Sequence, residues 1–130
     1  MRRALLSHMA VLQDLIVWQL ADELRQEVLR LAACPAVKRD FRLRDQLTSS
    51  AGSVPANVAE GYARQRHAEF ARFLDYASGS LRETEEWLRD GEARGIWSPE
   101  DLAAARRLCR RLTPAILNLR RHLKNNPTPK

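Results

Sequence analysis

Two segments of this chain carry a line of side chains at an unbroken spacing of three and four. Phe70, Leu74, Ala77, Leu81, Thr84 and Leu88 form one line; Leu102, Ala105, Cys109, Leu112, Ile116, Leu119 and Leu123 form the other. At 3.6 residues per turn each line is a single helix face. Such alternating three-four spacing favours helices packed side by side at about +20°. Nothing competes with this pattern, because no run alternates Val, Ile, Thr or aromatics between turn residues as a strand would. With 130 residues the chain is long enough for one core and too short for two.

Four helices follow from the seams. The first is expected from about Asp14, as N-cap, to Ala33, with Val17, Leu20, Leu24, Val28 and Leu31 inside and Cys34-Pro35 as the stop. The second starts near Asp40, buries Leu43, Leu47, Ala51, Val54 and Val58, and is expected to end at Gly61. Pro55 lies inside it, and the pattern favours a kinked, continuous helix over a restart capped by Ser53. The third runs from about Arg66 to Ala93. The fourth opens at Ser98, with Pro99 in the first turn and Asp101 at the third position, and Pro114 should bend it. Short links make neighbours antiparallel, so the expected fold is all-α, an up-down-up-down four-helix bundle over residues 14–124. Residues 125–130 hold two prolines and no apolar side chain and are expected to be disordered.

Cys34 and Cys109 stand without a secretory signal and read as reduced thiols of a cytoplasmic protein. The apolar stretch behind Arg2 and Arg3 is broken by His8 and Asp14, and no small-residue cleavage site follows it. The longest uncharged run, Gln46 to Ala59, is too short and too polar to span a bilayer, so no membrane association is expected.

A polar line, Ser50, Ser53, Asn57, Glu60 and Arg64, accompanies the second seam, and Ser80 and Glu83 flank the third. If the hairpin folds about residue 65, Ser50 faces Ser80, and Glu83 approaches Leu47 and Arg44. The favoured role for Asn57, Glu60, Ser80 and Glu83 is a structural or interface polar network. Facing carboxylates also raise a metal centre, but bundle di-metal sites need Glu-x-x-His pairs, and His8, His67 and His122 sit at other spacings. Neither a nucleophile with its base nor a glycine-rich phosphate loop stands out, so no catalytic residue, metal or cofactor is expected.

Charge is distributed unevenly. Residues 67–98 hold four Arg against seven acids, whereas residues 99–130 hold six Arg and two Lys against Glu100 and Asp101 alone. Arg106, Arg107, Arg110, Arg111, Arg121 and Lys124 fall on an arc of roughly 140° opposite the fourth seam. The pairs Arg106–Arg110 and Arg107–Arg111 each cost a few tenths of a kcal/mol in an isolated helix. Something anionic is therefore expected against this face. It is either a nucleic-acid phosphate backbone or an acidic surface of a neighbouring subunit, for which Glu83, Glu85, Glu86, Asp90 and Glu92 are the obvious supply. Aromatics are scarce in the basic stretch, which favours structured RNA or duplex over single strands. Trp18 and Trp87 read as core-edge residues or interface anchors, and Trp97 as a staple of the last turn.

The segment from Ser50 to Arg64, SAGSVPANVAEGYAR, and that from Glu69 to Glu85, EFARFLDYASGSLRETE, closely resemble the signature of the bacterial four-helix bundle proteins encoded by intervening sequences in 23S ribosomal RNA genes. The resemblance runs from about Leu15 to Leu123, and the accessory variability proteins of retroelements are distant relatives of the same shape. It implies a cyclic homopentamer with basic surfaces and no established active-site residue. A head-to-tail ring would let the acidic face of one subunit meet the basic face of the next. Residues 1–13 then read as an extension, its first eight residues disordered or, if translation starts at Met9, not part of the protein. The leading expectation is a non-enzymatic, oligomeric protein that binds structured nucleic acid, RNA or DNA, through the fourth helix. The alternative is an assembly scaffold for a protein partner such as a reverse transcriptase, with the basic face used between subunits.

Overall fold

The computed structural model describes residue 12 and residues 15–129, and among these it is all-helical, with no strand. Five helices occur in order: α1 (Ile16–Leu31), α2 (Pro35–Lys38), α3 (Phe41–Ala63), α4 (His67–Ala93) and α5 (Pro99–Asn125). Asp14, the expected first cap, lies outside the described residues, as does nearly all of the expected extension. α1 begins instead after Leu15, which offers no capping side chain.

The one unexpected element is α2. Pro35 ends α1, yet its preset φ suits a first helical position, so the same residue opens a four-residue turn that buries Val37. Asp40 caps α3, its carboxylate accepting the Leu43 amide at 3.0 Å. α3 is continuous through Pro55, as the seam indicated. It does not stop at Gly61. That glycine permits a close approach instead: a β-carbon there would lie 2.8 Å from Phe73 Cβ and 2.9 Å from Phe70 Cδ1, so α3 and α4 meet tightly at this point. The turn after Ala63 is made by Gln65 at φ 63°. α5 carries the expected capping box between Ser98 and Asp101 and continues through Pro114.

Each long helix packs on two others, in the circuit α1–α3, α3–α4, α4–α5 and α5–α1. Cross-helix bonds give the sense of packing. On α3 and α4, Asp40 meets Arg94 and Ser50 meets Thr84; on α4 and α5, Asp75 meets Arg120 and Glu92 meets Arg106. Sequence numbers rise on one helix as they fall on the other, so both pairs are antiparallel. Leu24, Leu43, Leu47, Leu74, Leu88, Leu102, Leu112 and Ile116 fill the centre.

Trp97 closes one end. Its indole N–H donates to the Leu31 carbonyl at 3.1 Å, while its ring lies against Gly91, where a β-carbon would come within 2.1 Å. The opposite end is tied by residues expected to be disordered. Thr128 Oγ1 accepts the His67 amide at 2.6 Å, and the His67 ring meets the Asn126 carbonyl. Thr128 thereby answers the first amide of α4, which the helix itself leaves without a partner.

Candidate nucleic-acid interface

The seven seam residues of α5, from Leu102 to Leu123, are all buried, which turns the arginine-rich side outward. Arg107, Arg110, Arg111, Arg121 and Lys124 are exposed, and none forms an ion pair among the described residues. Arg106 departs from the expected arc. It is half-buried and turned toward α4, where its two terminal nitrogens hold Glu92 at 2.7 and 3.3 Å. That bidentate bond raises the Arg106 pKa and holds the Glu92 carboxyl below the usual range. Arg120, outside the arc, likewise turns to α4 and meets Asp75.

The acids of α4 do not form the free surface that their run in sequence suggests. Glu92 is taken by Arg106, Asp90 by Arg94 at 3.3 Å, and Glu86 by Arg89 at 3.7 Å. Glu85 is partly desolvated, which together with Glu86 pushes its pKa up. Glu83 accepts the Trp87 indole N–H at 3.4 Å. Four of the five acids expected to receive a neighbour's arginines therefore engage groups of their own chain. The reason is helical geometry: five acids within ten residues spread around the helix, and each meets whatever lies on its own side.

The polar line resolves into small local pairs. Ser50 does not face Ser80. Its partner is Thr84, whose hydroxyl donates to Ser50 Oγ at 3.0 Å and lies 2.8 Å from the Ser80 carbonyl, while Ser50 donates to the Leu47 carbonyl at 3.1 Å. Thr84 stands in the seam of α4 and is fully buried, so its side chain must find a partner. Asn57 donates to the carbonyl and hydroxyl of Ser53 at 2.8 and 3.0 Å, and Glu60 pairs with Arg64 at 2.9 Å. Glu83 forms no ion pair with Arg44 among the described residues; its bond is to Trp87 on the same helix.

Burial pushes the Cys109 thiol up to about 12, far from a nucleophile's range. No group of three His, Cys, Asp or Glu side chains converges as a metal site among the described residues, and no helix among them is long and apolar enough to cross a membrane.

The profile of the 23S rRNA-intervening sequence protein family matches residues 13–118, from the start of α1 well into α5. The chain belongs to this family. No curated protein matches it. The family match covers Arg107, Arg110 and Arg111, whereas Arg121 and Lys124 lie beyond it in the last turns of α5.

Proposed function

We propose that this family member is a non-enzymatic protein of the cytoplasm that binds structured nucleic acid, with ribosomal RNA the first candidate, through the exposed cations of α5. One observation carries the reading. Arg107, Arg110, Arg111, Arg121 and Lys124 are exposed and form no ion pair among the described residues, while four of the five neighbouring acids of α4 engage groups of their own chain. Surface cations left unanswered along about 26 Å of helix suit a phosphate backbone. Paired acids make α4 a poorer receptor for the same face of a second copy, which favours nucleic acid over a purely subunit-binding role.

The four long helices read as an up-down-up-down bundle, supported by the circuit in which each packs on two neighbours. Assembly into a homo-oligomer, a pentameric ring by the family resemblance, draws support from large apolar residues left on the surface, Phe41 at 78% exposure and Ile16 at 55%. The same residues are the basis for the second reading, a scaffold that binds a protein partner.

The test is a titration of labelled ribosomal RNA hairpins and duplex DNA across a salt series, with wild type and an Arg107, Arg110, Arg111, Arg121→Gln variant. Removing these residues relieves like-charge pairs, so the variant should fold at least as well. The slope of log affinity against log salt should flatten by about 0.9 for each phosphate that is no longer neutralised. Wild type that binds nothing at low salt sinks the reading. A variant that falls apart into monomers moves these arginines to the subunit interface.

A further inference from the structure

Two strips face each other across the outer seam of α4 and α5. On α4 the strip runs Arg72, Asp75, Gly79, Arg82, Glu86 and Arg89; on α5 it runs Arg106, Arg110, Thr113, Leu117, Arg120 and Lys124. Both keep three-four spacing, so each is one row on its helix. Their register is set near both ends, by Asp75 with Arg120 and by Glu92, one turn past Arg89, with Arg106. Between those ties the charged residues, Thr113 and Leu117 are exposed, so the strips form an outer face rather than a buried seam.

Three acids of this face are answered locally, while Glu85 beside them lies within electrostatic reach of Arg82 and of Cys109 on α5. Asp75 goes to Arg120, Glu86 to Arg89 and Glu92 to Arg106. Among the described residues no ion pair holds Arg72 or Arg82 on α4, or Arg110 or Lys124 on α5, although Arg82 lies within electrostatic reach of Glu85. Arg72 donates its Nε–H to the Tyr76 hydroxyl at 3.0 Å, which leaves its terminal nitrogens free of that bond. Rise per residue sets Arg72 and Arg82 about 15 Å apart along α4, and Arg110 and Lys124 about 21 Å apart along α5. The two rows are separated by a helix spacing of about 8–10 Å. Between them lies a low floor made by Gly79, whose missing β-carbon would touch nothing within 4 Å, and by Leu117, 46% exposed.

We propose that the nucleic-acid surface is two helices wide and takes a double-helical stretch. Arg72 and Arg82 meet the phosphates of one strand, and Arg110 and Lys124 those of the other. The inference rests on reading α5 as the nucleic-acid face, and it adds two arginines from the helix that is acidic overall. A double helix presents two phosphate rows to the two rows of cations, whereas a single strand presents one and engages one helix.

The experiment compares a short RNA duplex with one of its isolated strands, using wild type, Arg72→Gln/Arg82→Gln, and a remote control, Arg39→Gln/Arg44→Gln, with the same loss of charge. The α4 pair should flatten the salt slope for the duplex by about one for each arginine and leave single-strand binding unchanged. The remote control should keep the duplex slope of wild type. Neither α4 arginine forms an ion pair among the described residues, so melting temperature should hold; if Arg72→Gln unfolds the protein, Arg82→Gln alone should flatten the slope by about one. An unchanged duplex slope in the α4 pair, with binding abolished in the α5 variant, confines the surface to α5 and overturns the inference while the function stands. Equal flattening in the remote control overturns it as well, by reducing the effect to net charge. No binding of either RNA by wild type removes both.

Discussion

Replacing Gly91 by Ala adds one methyl group to the last turns of α4. In an open helix that change stabilises by about 1 kcal/mol, because alanine is the better helix former. Here the new carbon would fall 2.1 Å from Trp97 Cζ3 and 2.4 Å from Cε3, well inside van der Waals distance. The indole is 5% exposed and held by its bond to the Leu31 carbonyl, so the ring cannot swing away without breaking the staple between α1, α4 and α5. Overpacking costs about 1–3 kcal/mol, and loss of the hydrogen bond adds about 1. With the propensity gain subtracted, Gly91→Ala should destabilise by about 1–3 kcal/mol and lower the melting temperature by roughly 4–12 °C. Gly52 and Gly79 supply the contrast, since an added β-carbon meets nothing within 4 Å at either. Alanine there should stabilise by about 0.5–1 kcal/mol. Thermal and urea melts by circular dichroism measure all three, and tryptophan emission should shift in Gly91→Ala alone. A Gly91→Ala protein that melts at or above wild type would refute the account of Trp97.

Acid should destabilise the fold through three carboxyls held below their ordinary range: Asp40 by the Leu43 amide and then Arg94, Asp101 by the Ser98 amide, and Glu92 by Arg106. A lowered folded-state pKa gives stability that is present above the unfolded values, about 3.9 for Asp and 4.3 for Glu, and lost as pH falls through the folded ones. Melting temperature should therefore hold from neutral pH to about 5 and drop below about 4, a drop that Asp40→Asn makes shallower. Glu85 works in the opposite sense, its pKa raised by burial and by Glu86, so Glu85→Gln should raise the melting temperature at neutral pH. Cys109, pushed up to about 12 by burial, should resist a thiol reagent at mildly alkaline pH while half-exposed Cys34 reacts; equal labelling of both in the folded protein would contradict this packing. Thr84→Val should cost about 1 kcal/mol, and with Ser50→Ala the double variant should lose less than the two single losses added together. Strict additivity in that cycle would mean that the Ser50–Thr84 bond contributes nothing.

Helix class, the inner faces of four long helices and the outward turn of α5 were all legible in the linear pattern. Each depends on the period of apolar residues, which the backbone helix converts directly into a face. The Ser98–Asp101 box and the Asp40 cap were legible for a related reason, since capping is an interaction across three residues. The short α2 was missed because Pro35 is both a stop signal for one helix and a start signal for the next. Gly61 was misread as a helix end for want of knowing what it touches; Phe70 and Phe73 press on it from another helix.

What tertiary structure alone decided is which charges remain available. In sequence, Arg106 belongs with the basic arc and Glu92 with an acidic run, yet the register of α4 on α5 brings them to 2.7 Å and cancels both. The same register leaves Arg72 and Arg82 facing outward beside the basic helix, although they sit in a segment whose net charge is negative. A helix determines its own faces within a few residues, and the chain spells those out. Charge neutralisation between helices depends on how two faces are set against each other, and that is fixed by packing across the whole core.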